Sequence, residues 1–173
     1  MSIGFIKTPL EVMELVLYIL ARLDVPVSMA DLTDLTLCDE GVNYFQFAEA
    51  LGKLEETGHV QTNADGLISI TPKGRSNGKT TEEELPYSVR VRCDRSTDAL
   101  NRRLLRAQQV RAEALPRPDD SGYTARLVLD DDRGNMMTLE LLAPDRPLAE
   151  QICRRFRERP EEIYHVILNQ LLE

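Results

Sequence analysis

No uninterrupted apolar stretch in the 173 residues is long enough to span a bilayer, so a membrane protein is not expected. The most apolar run, Val12 to Leu20, is broken by Glu14, and no small-residue cleavage pattern follows it, which argues against a secretory leader. Cysteine is scarce. Cys38, Cys93 and Cys153 stand far apart, so neither a disulfide framework nor a zinc site is expected, and a reducing cytoplasm is the natural compartment. Histidine is scarcer still: His59 and His165 lack any cysteine, serine or carboxylate constellation that spacing would justify. There is also no phosphate-cradling glycine loop. The expectation is a protein that is not an enzyme and has no metal and no cofactor. His59 reads as a helix-terminal or interface residue rather than a base. Tyr87, Tyr123 and Tyr164 are candidates for lining an effector pocket, although tyrosines so placed usually pack.

A net charge of −8 argues against a bulk electrostatic grip on nucleic acid or membranes. Residues 1–78 hold five basic and eleven acidic side chains. Residues 90–111 reverse the balance, with Arg90, Arg92, Arg95, Arg102, Arg103, Arg106 and Arg111 against Asp94 and Asp98. A 42% hydrophobic content provides the material for one or two compact domains.

Thr8 followed by Pro9 is an N-cap with proline in the first turn, and Leu10, Met13, Leu17 and Leu20 recur at helical spacing. Val12, Val16 and Ile19 widen that stripe until the helix must be mostly buried. Asp24 to Pro26 ends it. Ser28 starts a second helix as S-x-x-D, with Met29, Leu32 and Leu35 inward. Asn43 opens a third in the pattern N-x-x-Q, whose seam is Phe47, Leu51 and Leu54, joined by Tyr44 and Ala48. Gly58 stops it as a left-handed cap. Two β-prone runs, Val60–Thr62 and Leu67–Ile70, flank a hairpin signal at Asn63–Gly66, and Thr71-Pro72 caps a further helical turn.

Three short helices followed by a hairpin is the order of a winged helix-turn-helix. The run I-T-P-K-G-R at Ile70–Arg75 resembles the exit from the wing in regulators of the PadR and MarR kinds, and L-x-x-L-x-x-x-G-H-V at Leu51–Val60 resembles the exit of their reading helix. The chain as a whole is similar to the bacterial family catalogued as domain of unknown function 4364. That resemblance rests on G-F-I at Gly4–Ile6, L-T-L-C-D at Leu35–Asp39, Y-F at Tyr44–Phe45 and L-P-Y-S-V-R at Leu85–Arg90. It implies a winged-helix start and a small, mainly Gram-positive bacterial protein, and it implies no activity and no catalytic residues.

Beyond residue 78 a polar linker, Asn77 to Glu84, leads to a long helix headed by Pro86 and running towards Ala114. Cys93, Thr97, Leu100, Leu104, Ala107 and Ala114 fall near a three-four repeat on it. Two strands, Tyr123–Leu129 and Met136–Leu142, flank an acidic hairpin, Asp130–Asn135. That turn lacks the glycine and the glutamate that a calcium loop requires. A helix with Leu148, Ile152 and Phe156 on one side follows, then a last helix after Pro160. The expected architecture is α+β and mainly helical: a winged-helix domain at 1–78, a linker and dimerisation-type helix at 79–118, and a small β-β-α-α unit at 119–173.

The function expected from this reading is a winged-helix transcriptional regulator that binds double-stranded DNA as a homodimer. Asn43, Gln46 and Lys53 would lie on the reading helix and Lys73 and Arg75 on phosphates, with Glu49, Ala50 and Glu56 also on the outward face. Leu100, Leu104 and Ala107 would form the dimer helix. A small-molecule or protein effector would act at the C-terminal unit. The alternative is a winged-helix adaptor that binds protein and not DNA. The arginine-rich helix has three readings: a dimer helix with a solvated charged face, a partner for the acidic N-terminal module, or a phosphate-binding surface.

Overall fold

The computed structural model describes residues 5–172. Gly4, first residue of the Gly4–Ile6 motif, lies outside them. The chain divides into two compact units, Met1–Arg102 and Arg103–Glu173.

In the first unit, α1 (Pro9–Ala21) begins with both halves of a capping box. The Thr8 hydroxyl accepts from the Glu11 amide and the Glu11 carboxylate accepts from the Thr8 amide. Its buried residues, from Val12 to Leu20, run almost around the helix, so α1 is the central rod of the unit. Ser28 caps α2 (Met29–Thr36) by accepting from the Asp31 amide. Leu32 and Leu35 are buried, but Met29 is not. Steps of three residues fall about 60° short of a full turn, so two of them carry Met29 off the buried stripe.

Asn43 and Gln46 form the reciprocal box that starts α3 (Tyr44–Glu56). The buried seam is Phe47, Ala50, Leu51 and Leu54, while Tyr44 and Ala48 face outward. The expected seam was therefore rotated: Ala50 lies about 60° round from Phe47 and Ala48 about 100°, which puts Ala50 inside. Gly58 closes the helix at φ 72°, a conformation side-chain-bearing residues rarely adopt. Strands β1 (Val60–Thr62) and β2 (Ile68–Ile70) pair antiparallel, Val60 opposite Ile70. The Asn63 side chain holds the turn by accepting from the amides of Asp65 and Leu67. Val27, between α1 and α2, exchanges both backbone hydrogen bonds with Ile68, an addition to the hairpin that sequence reading did not foresee.

Thr71 caps α4 (Pro72–Thr81), which runs ten residues instead of a single turn. It occupies the first half of the expected linker, and a 3-10 turn, Glu82–Glu84, fills the rest. Glycine is what seats this polar helix. A Cβ on Gly74 would stand 2.2 Å from the His59 carbonyl oxygen, and Gly78 lies against Leu17 of α1. Buried Leu85 anchors the end, and α5 (Tyr87–Gln109) follows with Val89, Cys93, Thr97 and Leu100 buried.

The helix stops at Gln109 and does not reach Ala114. Val110–Pro116 is strand β3, with Val110 and Ala112 buried and Arg111 and Glu113 turned away, an alternation of period two. It pairs with β4 (Tyr123–Asp131), which pairs with β5 (Gly134–Ala143), giving an antiparallel meander in the order β3-β4-β5. The second unit is thus β-β-β-α-α, not β-β-α-α. Asp145 caps α6 (Arg146–Glu158), and α7 (Pro160–Leu172) follows. The buried face of α6 is Ala149, Cys153 and Phe156 rather than the expected Leu148, Ile152 and Phe156. Small Ala149 and Cys153 let the helix lie close on the sheet, where they join Val110, Ala125, Leu127 and Leu129 in one core.

Candidate functional site

Of the five side chains expected on DNA, each is engaged within the first unit. The Asn43 side-chain oxygen accepts from the Gln46 amide at 3.0 Å, and the Gln46 side-chain oxygen accepts from the Asn43 amide at 3.0 Å. Lys53 Nζ donates to Glu49 at 2.7 Å, one helical turn away, and this bond holds the Glu49 carboxyl below its ordinary range. Lys73 Nζ donates to the Thr57 carbonyl at 2.6 Å, at the C-terminal end of α3. Arg75 Nη1 donates to the Ala21 carbonyl at 3.0 Å, at the end of α1. The two last carbonyls sit at the negative ends of helix dipoles, where a cation is favoured.

The outward surface of α3 is aromatic and acidic instead. Phe45 is 82% exposed and Tyr44 53%, their rings edge to face with centroids 6.1 Å apart. Ala48, Glu49, Glu55 and Glu56 are also exposed. On the adjoining hairpin the turn carries Asp65, and the Thr62 hydroxyl donates to Glu55. In the sequence Phe45 stands out only within the Tyr44–Phe45 family motif. The signal was available, since Phe45 stands about 200° from Phe47 on a helical wheel and cannot share its seam.

His59 follows α3 as expected, half-buried. Its Nδ1 is 2.8 Å from the Thr57 hydroxyl and its Nε2 is 2.7 Å from the Asn77 side-chain amide. Burial, with Lys73 nearby, lowers its affinity for a proton. His165 lies on α7 with its ring against Tyr164, centroids 5.6 Å apart.

Arg92, Arg106 and Arg111 of α5 and β3 are ion-paired or hydrogen-bonded. Arg92 Nη1 donates to the Cys38 carbonyl at 2.7 Å and lies 4.0 Å from Asp39. Asp39 is buried and accepts from the amides of Phe5, Ile6 and Gly41. Asp94 takes Arg22 Nε at 2.7 Å and the Tyr18 hydroxyl at 2.8 Å. Arg22 also pairs with Glu82 and sits 3.5 Å over the Tyr18 ring. Burial and the Asp94 bond push the Tyr18 phenol above its ordinary range. In the second unit Arg106 pairs with Glu161, and Arg111 with Asp130 at 2.6 Å. Of the expected dimer residues, Leu100 is buried in the chain's own core, Leu104 is half-buried and Ala107 is exposed.

The second unit contains an apolar cavity of about 590 Å³, lined among others by Leu127, Leu139, Leu141, Leu148, Ile152 and Ile167, with Gln151 and Arg155 as its polar members. The acidic hairpin is a turn in which Asp131 accepts from the amides of Arg133 and Gly134. Among the described residues no group of three or more histidine, cysteine or carboxylate side chains is placed to hold a metal ion. No helix among them is long and apolar enough to cross a membrane.

A family model described as Domain of unknown function (DUF4364) matches residues 14–171. No curated protein and no solved structure matches the chain.

Proposed function

The chain belongs to that family, whose description names no activity, and we propose that its first unit is a winged helix-turn-helix module that binds protein through the outward face of α3. The element order α1-α2-α3-β1-β2, with Val27 bonded to the hairpin, supports the winged-helix reading. One observation carries the choice of partner. The cations that would meet phosphate are each hydrogen-bonded to another group of the first unit, while Phe45 and Tyr44 stand in water beside Glu49. DNA affinity rests on neutralising phosphates and releasing their counterions. An acidic, aromatic face instead matches a partner that offers an apolar pocket edged with basic residues.

A second reading, a homodimeric DNA-binding transcriptional regulator, is favoured by the element order alone, since modules of this kind lay the third helix in the major groove. In either reading the apolar cavity of the second unit is a place for an effector to act.

Fluorescence anisotropy on random duplex DNA, titrated down to about 50 mM salt, separates the two. The protein-binding reading expects no salt-dependent affinity, and expects cross-linked partners captured by the wild type to be lost with Phe45→Ser while the circular dichroism stays unchanged. A steep salt dependence, weakened by replacing Lys53, Lys73 and Arg75 together, would establish the DNA reading instead.

A further inference from the structure

Cys38 and Cys93 are 55 residues apart in the chain, yet their sulfur atoms lie 3.7 Å from each other. Cys93 is on α5 and fully buried. Cys38 is half-buried, in the connection between α2 and α3, where the backbone is not held by a helical ladder. We propose that the two form an oxidisable dithiol, in which a hydroperoxide converts Cys38 to a sulfenic acid and Cys93 resolves it as a disulfide.

The two cysteines differ in the ways the two steps require. Cys38 is reachable by a small oxidant, whereas Cys93 has no exposed surface. The two sulfurs share a hydrogen bond in which either can donate, and this contact, with the Arg92 guanidinium nearby, holds the Cys38 thiol below its ordinary range. The same bond, together with burial, holds Cys93 as the protonated thiol. A partly exposed cysteine beside a cation and a thiol donor is a reactive environment, while a buried one without such neighbours is inert. Cys153, buried in the second unit, has Arg157 near it but no thiol partner, and burial holds it above its ordinary range.

In the first step the Cys38 thiolate attacks one peroxide oxygen. The O–O bond breaks, two electrons pass from sulfur to the peroxide, and hydroxide or alkoxide leaves. In the second, Cys93 attacks the Cys38 sulfur while losing its proton. The S–S bond forms, the S–O bond breaks and water leaves, so two thiols and one hydroperoxide give one disulfide, one water and one water or alcohol. Bond formation needs an approach of less than about 2 Å, since bonded sulfurs lie about 2.05 Å apart. Cys93 sits in the helical ladder of α5 and Cys38 outside any helix, so the approach falls to Cys38.

The test uses the full, reduced chain treated with hydrogen peroxide in the presence of dimedone, which traps sulfenic acids. The wild type is expected to lose about 2 Da, to yield a Cys38–Cys93 linked peptide reversible by dithiothreitol, and to keep Cys153 alkylatable. Cys93→Ser and Cys93→Ala should both stop at a dimedone adduct on Cys38, and Cys38→Ser should give neither product. Arg92→Gln should slow the oxidation of Cys38 about fivefold with the fold unchanged by circular dichroism. Oxidation of Cys38 no faster than that of Cys153 would overturn the proposal. So would a dimedone adduct on wild-type Cys38 with no link to Cys93.

Discussion

From Phe5 to Arg102, helix ends and loops are tied by side chains that arrive from far along the chain. Arg75 reaches the Ala21 carbonyl, Arg92 that of Cys38, and Asn101 that of Arg22, across 54, 54 and 79 residues. From Arg103 onward the frame is a meander of neighbouring strands with an apolar core. There Arg157, which donates to the Ala112 carbonyl, is the counterpart of those ties, and ion pairs such as Arg106–Glu161 and Arg146–Glu150 lie at the surface. The difference bears on function. In the first unit a basic side chain is part of the frame, so the number of cations near a helix overstates what remains for a ligand.

The largest expected effect falls in the second unit. Phe156→Ala removes a fully buried ring and should cost about 3–5 kcal/mol. Hydrogen exchange should show the loss in residues 103–172 while amides of α1 and α3 keep their protection; equal loss in both units would break the division. Gly74→Ala is the first unit's sharpest point, because the new methyl would meet the His59 carbonyl 2.2 Å away. A cost of about 3 kcal/mol is expected by urea denaturation, and a cost below 1 would show that α4 is free to move off the hairpin.

Smaller effects test whether the cations are architectural. Arg75→Met keeps the apolar stem and removes the donor to Ala21, for an expected loss of about 1–2 kcal/mol, whereas Lys53→Met should stay within about 0.5. Equal costs would remove the contrast between a side chain that caps and one that only pairs. The last effect is present only at higher pH. Burial, with Glu84 beside it, raises the affinity of Glu14 for its proton. A carboxyl raised in the folded state contributes most when protonated, at pH below its unfolded value, and that contribution is lost as pH rises through the raised one. Glu14→Gln should therefore raise the melting temperature by about 3 °C at pH 8 and leave it unchanged at pH 4.

Much of the frame is legible because it is local. Thr8, Ser28, Asn43, Thr71 and Gly58 act on residues within one turn, and their side chains announce it. The misreadings have physical causes too. Val110 to Leu115 continues an arginine-rich helical run, and its period of two becomes decisive only through pairing with β4. The segment from Asn77 to Glu84 looks like a linker because its helix packs through Gly78, which has no apolar side chain to give it away. The face of α6 was misjudged since Ala149 and Cys153 are small, yet smallness is what brings a helix close to a sheet. How the cations near α3 are engaged is not legible for another reason. Whether Lys73 or Arg75 is available depends on carbonyls 16 and 54 residues away, which no local pattern encodes.

The strand order β3-β4-β5 also governs the order in which the two units can be completed. Each strand pairs with its immediate successor, so closing the sheet takes only short loops and little chain entropy. The first unit has no such shortcut: α1 acquires its bonds to Asp94 and Asn101 only after α5 has been made and brought back over 76 and 79 residues. Loop closure therefore costs more chain entropy in the first unit than in the second.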